Sequence, residues 1–244
     1  MTNKRKPRGA LTALLLFFAL LVWEPWAADA VPADSVAEVP AEGPKYVALT
    51  FDDGPKGAIT ESLLDGLAER GVKASFFLIG TLAEEYPDLV GRMAAEGHQI
   101  GVHSYDHLGP LTGLNQADFE AQVGKSRQIL QNILGWQDYM LRPPYGSVDN
   151  GVRTWAQSPL ILWSVDPEDW GDRDVEREVT VVLNQVQDGD IILMHDIFPE
   201  SVEAALEIVD RLHERGFYFL TVQQLFDQKG ITLEEGKCYH SARN

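Results

Sequence analysis

Short runs of almost wholly apolar residues recur along this chain between longer segments whose apolar residues follow a helical period. YVALTF (46–51), ASFFLIG (74–80), LILWSV (160–165), DIILMH (190–195) and FYFLT (217–221) have strand length, and shorter strands are predicted at HQIGVH (98–103) and near YML (139–141). Helices are predicted between them: TESLLDGLAER ended by Gly71, PDLVGRMAAEG ended by Gly97, the long segment 116–134, GVRTWAQ, REVTVVLNQVQ and SVEAALEIVDRLHERG. Strands separated by helices pair in parallel, and runs without polar alternation suit strands covered on both faces. About seven such units in one domain predict an α/β fold of the (β/α) barrel type, complete or incomplete, rather than a doubly wound open sheet.

The chain has 244 residues, and the first thirty stand apart from this pattern. A basic start, KRKPRG, precedes an apolar run of 14 residues, ALTALLLFFALLVW, and the ADA at 28–30 is an A-x-A cleavage pattern. Residues 1–30 therefore read as a secretory signal peptide. The alternative is an uncleaved membrane anchor, for which the run is short of the roughly 20 apolar residues a spanning helix needs. Residues 31–44, rich in proline, alanine and glutamate, read as a flexible tether. The globular domain is expected at 45–228 and a C-terminal tail at 229–244. An extracytoplasmic location follows, secreted or cell-wall associated, with membrane attachment only through an uncleaved N-terminal segment.

Charge and cysteine usage exclude several classes. Four of the 20 Lys and Arg residues and two of the 37 Asp and Glu residues precede residue 31, which leaves 16 basic against 35 acidic residues and a net charge of −19. Such a surface repels nucleic acid. The lone cysteine, Cys238, has no partner for an intramolecular disulfide and cannot found a cysteine-based zinc site.

Read to their C-terminal ends, the strands deliver Asp52 and Asp53, His103, Arg142, Asp166 and Asp169, and His195 and Asp196 to one rim. Barrel enzymes build their sites on that rim. His103 and His107 stand four apart in HSYDH, a spacing that lets two imidazoles converge on one ion. With a carboxylate from the first strand they make a three-ligand set with open positions. Asp52 and Asp53 point in different directions at the strand end. One is expected to bind a metal and the other to stand beside the bound water as a base.

Five segments, TFDDGP (50–55), HSYDH (103–107), RPPYG (142–146), DPEDW (166–170) and LMHD (193–196), resemble in order the motifs of the polysaccharide deacetylase family, the NodB-homology or carbohydrate esterase 4 enzymes. The resemblance covers roughly Lys45 to Phe226. It implies a metal-dependent N-deacetylase on a distorted (β/α) barrel. It further implies that Asp53, His103 and His107 hold one divalent metal, usually zinc and in some members cobalt or another ion. Asp52 would then be the general base, tethered by Arg142, and His195 the general acid, oriented by Asp169. The backbone N–H of Tyr145 would serve an oxyanion hole, with Trp170 and Leu193 around the acetyl methyl. The implied partner is an N-acetylated polysaccharide, with peptidoglycan N-acetylglucosamine first and chitin oligosaccharides, acetylxylan or another exopolysaccharide as alternatives.

Three other readings compete. A ferrous oxygenase can use two histidines and one carboxylate but favours a strand-rich jelly roll. A glycosidase needs its carboxylates about 5 Å or more apart, which neighbours on a strand supply poorly. A carbohydrate-binding protein without catalysis would be expected to lack one of Asp52, Asp53, His103, His107 or His195, and all are present. Asp166, Asp196, His98, His213 and His240 receive no chemical role.

Overall fold

In the computed structural model, which describes residues 43–243, the chain opens with strand β1 (Lys45–Asp52), whose last six residues are all buried. Helix α1 (Gly57–Glu69), strand β2 (Ser75–Ile79), helices α2 (Gly80–Glu85) and α3 (Pro87–Ala95) and strand β3 (Gln99–Ser104) follow. Pro87 sits at the start of α3, where its missing N–H leaves no helical bond unmade. The segment 116–134 is helical throughout, as its period predicts, but contains a π turn at Glu120–Gly124 between α4 (Gln116–Phe119) and α5 (Lys125–Leu134). A 3-10 turn at Pro144–Gly146 precedes α6 (Asn150–Trp155), β4 (Leu160–Ile161), α7 (Val175–Gln185), β5 (Ile191–His195), α8 (Pro199–Glu214), β6 (Phe217–Phe219), α9 (Val222–Gln228) and β7 (Cys238–Tyr239). Side chains of Asn115, Asp149, Asp174 and Thr221 accept N–H groups at the starts of α4, α6, α7 and α9, satisfying donors that a helix start otherwise leaves open. The expected signal peptide (1–30) and residues 31–42 of the expected tether lie outside the described residues.

The main sheet runs β3-β2-β1-β5, with β6 paired to the first three residues of β1, and every pairing is parallel. From β3 the ladder continues one residue wide, Val102 to Leu141 to Leu160, and returns to β5 through Val165 against Ile192. This is the parallel α/β architecture with a distorted barrel outline.

Two predicted strands are shorter than their apolar runs. The YML strand reduces to the bridged residue Leu141, because after Arg142, whose N–H donates to the Val102 carbonyl, Pro143 and Pro144 carry no N–H to donate. The run 160–165 yields a two-residue strand because its backbone keeps changing partner: Ile161 donates to Leu141, Leu162 to Tyr239 and Ser164 to Ile191. Beyond residue 228 the chain adds β7, which pairs in parallel with β4, and buries Ala242, whose N–H donates to the Gly189 carbonyl at 2.7 Å. Neither α9 nor β7 was anticipated.

One face of α8, Ala204, Ala205, Ile208, Val209 and Leu212, is completely buried in the core beside Val47, Leu49 and Phe51 of β1. Each such apolar side chain contributes about 1.5–3 kcal/mol when fully buried, less for alanine. The result is a stiff strand frame whose C-terminal ends carry the polar residues. Register sets Asp52 beside His195 and Thr50 beside Leu193. No helix among the described residues is long and apolar enough to cross a membrane.

Candidate active site

Arg142 is fully buried at this rim. Its guanidinium donates to Asp52 Oδ1 (2.8 Å), Thr50 Oγ1 (2.8 Å), the Ile161 carbonyl (3.1 Å) and the Leu162 carbonyl (3.1 Å), and lies 4.2 Å from the centre of the Phe77 ring. The planar fork of arginine can serve this many acceptors at once. Burial pushes the Asp52 carboxyl above the ordinary carboxylate range, opposed by the charge and hydrogen bond of Arg142 and by the charge of His195. Asp52 is thus a carboxylate made more basic by burial and kept ionisable by its arginine.

Asp53 takes a different direction. Its backbone is left-handed, with φ 71°, an uncommon conformation outside glycine. That turn brings Oδ1 to 3.5 Å from His103 Nε2 and 3.7 Å from His107 Nε2. The three ligand atoms of Asp53, His103 and His107 all lie within 4.8 Å of one another. Asp53 Oδ1 is buried with no hydrogen-bond partner, an arrangement that is costly unless something else meets that oxygen. His103 Nδ1 lies 2.6 Å from the Arg142 carbonyl. Donation to that carbonyl fixes the tautomer and leaves Nε2 as the free lone pair, the usual support for a ligating imidazole. Burial lowers the His103 pKa to about 3, so the ring is neutral at physiological pH. The donor set therefore fits a small divalent cation.

His195 is held from two sides by Asp169, which accepts its backbone N–H (2.8 Å) and lies 2.8 Å from its Nδ1. Burial alone would lower the imidazole, but the Asp169 hydrogen bond and charge, with Asp52 and Asp53 nearby, push it up to about 9. Its Nε2 is thus supplied with a proton across neutral pH. The shift also carries a sign for stability. Since the folded value lies above that of a free imidazole, the contribution is fully present below about pH 6.5 and is lost as pH rises through about 9.

Tyr145 lies in the 3-10 turn with φ 59°, its ring 4.9 Å from that of His107 and largely exposed, and Trp170 is also more than half exposed. Leu193 is buried on β5, two residues before His195 and hence on the same face of the strand. The structure therefore brings Asp52, Arg142, Asp53, His103 and His107 into one cluster and His195 and Asp169 beside it. Three supporting residues escaped the sequence reading. Thr50 donates to the Ile192 carbonyl at 2.6 Å while accepting from Arg142. Ser104 Oγ accepts the His107 N–H at 3.0 Å. Gln122 Oε1 accepts the N–H groups of Tyr105 (3.0 Å) and Asp106 (3.4 Å), so the π turn grips the loop that leads from His103 at the end of β3 to His107. Thr50 and Ser104 sit inside the quoted motifs; Gln122 has no local signal.

The residues left without a role make local structural contacts. Asp166 accepts the N–H of Glu168 in a local turn. Asp196 is fully buried with Oδ2 2.5 Å from the Thr60 hydroxyl, and burial pushes its carboxyl up to about 7. A β-carbon on Gly54 would come within 2.1 Å of that carboxylate, which accounts for the glycine in TFDDGP. His98 packs edge-on against Phe76 and accepts the Ala74 N–H, His213 packs against Phe219, and His240 lies against the Trp163 carbonyl.

A family profile described as polysaccharide deacetylase matches residues 40–159. The peptidoglycan-N-acetylmuramic acid deacetylase PdaC of Bacillus subtilis is 38% identical over 203 residues, covering 81% of this chain and 43% of that protein. The chain thus spans less than half the length of that relative. A chitooligosaccharide deacetylase of Sinorhizobium fredii is 34% identical, covering 75% of this chain and 92% of that one. Among solved structures, a family 4 acetyl xylan esterase from Clostridium thermocellum, in complex with a cobalt ion, superposes with a TM-score of 0.76 at 30% identity, covering 81% of this chain and 98% of that one.

Proposed function

The chain belongs to the polysaccharide deacetylase family, and on that premise we propose that it removes N-acetyl groups from N-acetylglucosamine residues of a cell-wall polysaccharide, peptidoglycan first. The observation that carries this reading is the convergence of Asp53, His103 and His107 within 4.8 Å, at the same strand ends as a buried base pair, Asp52 with Arg142, and an acid pair, His195 with Asp169.

Asp53, His103 and His107 would hold one divalent ion, with zinc as our first choice and cobalt the alternative. When bound there, such an ion polarises an acyl oxygen and lowers the pKa of an attacking water. Asp52 accepts a proton from that water at its carboxylate as the water oxygen bonds to the acyl carbon. Arg142 keeps the carboxylate aimed and able to ionise. The Tyr145 N–H donates to the oxygen that gains negative charge. His195 then gives its Nε2 proton to the amide nitrogen as the carbon–nitrogen bond breaks, leaving acetate and a free amino sugar. Trp170 and Leu193 pack around the acetyl methyl. The basic N-terminal segment with its apolar run, and the cell-wall substrate named for the B. subtilis relative, support action outside the cytoplasm.

Acetate release from purified peptidoglycan, chitooligosaccharides and acetylxylan tests the substrate, with release from peptidoglycan expected to be fastest. Absence of release from peptidoglycan alongside release from either other polymer would reassign it. Asp169→Asn tests the acid pair. Removing the charge that holds His195 up is expected to move the alkaline limb of the kcat profile from about pH 9 toward the ordinary imidazole range near 6.5. An unmoved limb would contradict the assignment of His195 as the acid.

A further inference from the structure

A cavity of about 950 Å³ lies away from the strand ends that carry Asp52 and His195. Its wall includes Met140, just before the bridged Leu141, and Pro159, just before β4. Gln223 also lines it, and its N–H donates to Gln99 Oε1 at the start of β3 (3.0 Å). These positions mark the opposite end of the barrel, separated from the catalytic rim by strands of five to six residues, or roughly 15–20 Å.

Trp136 stands on this cavity with 79% of its surface exposed and outside both buried clusters of the core. Around it, the side-chain amides of Gln131, Gln137 and Gln157 make no hydrogen bond within the described residues. Gln157 adopts a left-handed backbone, φ 47°, which a non-glycine residue holds only against a conformational cost. An open aromatic face beside unengaged amides matches one ligand chemistry. Sugar rings present apolar C–H faces that pack on an indole, and their paired hydroxyls suit an amide, which offers two donors and an acceptor. The protein's net charge of −17 disfavours an anionic occupant.

We propose that this cavity is a second, non-catalytic glycan-binding site that takes a neutral N-acetylated sugar strand other than the one being deacetylated. The proposal rests on the polysaccharide reading above. In an insoluble wall, holding one strand raises the effective concentration of the active site near its neighbours.

Trp136→Ala and Gln131→Ala test it in the full chain. Trp136 is exposed, Gln131 is half-buried with an unbonded side-chain amide, and alanine on α5 favours the helix, so thermal melts are expected to match the wild type. Co-sedimentation with insoluble peptidoglycan is expected to weaken about tenfold in Trp136→Ala, the size of one lost aromatic contact, and by less in Gln131→Ala. Acetate release from a soluble N-acetylglucosamine tetramer is expected to stay unchanged in both variants. Wild-type sedimentation by Trp136→Ala, or equal losses on polymer and tetramer, would overturn the second site. If the wild type releases acetate from no sugar, the functional reading fails, while the sedimentation comparison still decides this cavity on its own.

Discussion

Asp52→Asn is expected to slow acetate release by about 10²–10⁴-fold, the usual contribution of a positioned acid or base, in a chain that still folds. Asparagine has the same shape and keeps a carbonyl oxygen for Arg142, which also retains Thr50 Oγ1 and the carbonyls of Ile161 and Leu162 as acceptors. What is lost is the ability to take a proton. The loss should therefore appear in kcat, with KM moving little, since the amide makes similar contacts to a bound sugar. Steady-state rates on a defined N-acetylated oligosaccharide check this. A rate within a few-fold of wild type would remove Asp52 from the proton transfer.

Arg142→Met is expected to cost about 3–5 kcal/mol of stability, the range for removing one partner of a buried ion pair. The guanidinium is fully buried and serves four acceptors. Methionine fills much of its volume but leaves the Asp52 carboxylate buried without a counter-charge, and it leaves the Ile161 and Leu162 carbonyls open where the strand ladder is already broken. The deficit should shrink as pH falls, because burial already raises Asp52 and protonation removes the unpaired charge. Urea unfolding at pH 5 and pH 8 measures both effects. A loss below about 1 kcal/mol at pH 8 would show that the arginine is not the anchor of this rim.

How much of this was legible from the residues depends on the length scale of the signal. β1, β2 and β5 are buried on both faces, so their unbroken apolar runs announced them, and the helical periods located α1, α3, α7 and α8 within a few residues. The candidate residues were legible for a related reason: Asp52, His103, Leu193 and His195 sit at or near the C-terminal ends of β1, β3 and β5, and the other candidates lie in loops, inside motifs short enough to quote. The failures lie where hydrogen bonds are made over a distance. Leu160–Ile161 is paired on one side with Leu141 and on the other with Cys238 and Tyr239, and two-residue strands carry no period. The left-handed backbone at Asp53, His107 and Tyr145 left no mark on composition, although it aims Asp53 away from its neighbour. Gln122 reaches the histidine loop from within a π turn, which helical spacing in the sequence does not reveal.

The central claim is that two adjacent aspartates have separate tasks, Asp53 holding a cation and Asp52 moving a proton. Bound metal per chain, measured by elemental mass spectrometry on Asp52→Asn and Asp53→Ala purified side by side, tests it most directly. Asp53→Ala sacrifices no hydrogen bond at Oδ1, since that oxygen has none, so its fold should persist while its metal is lost. Asp52→Asn should retain metal at the wild-type level. Metal lost from Asp52→Asn and kept by Asp53→Ala would contradict the division of labour between them.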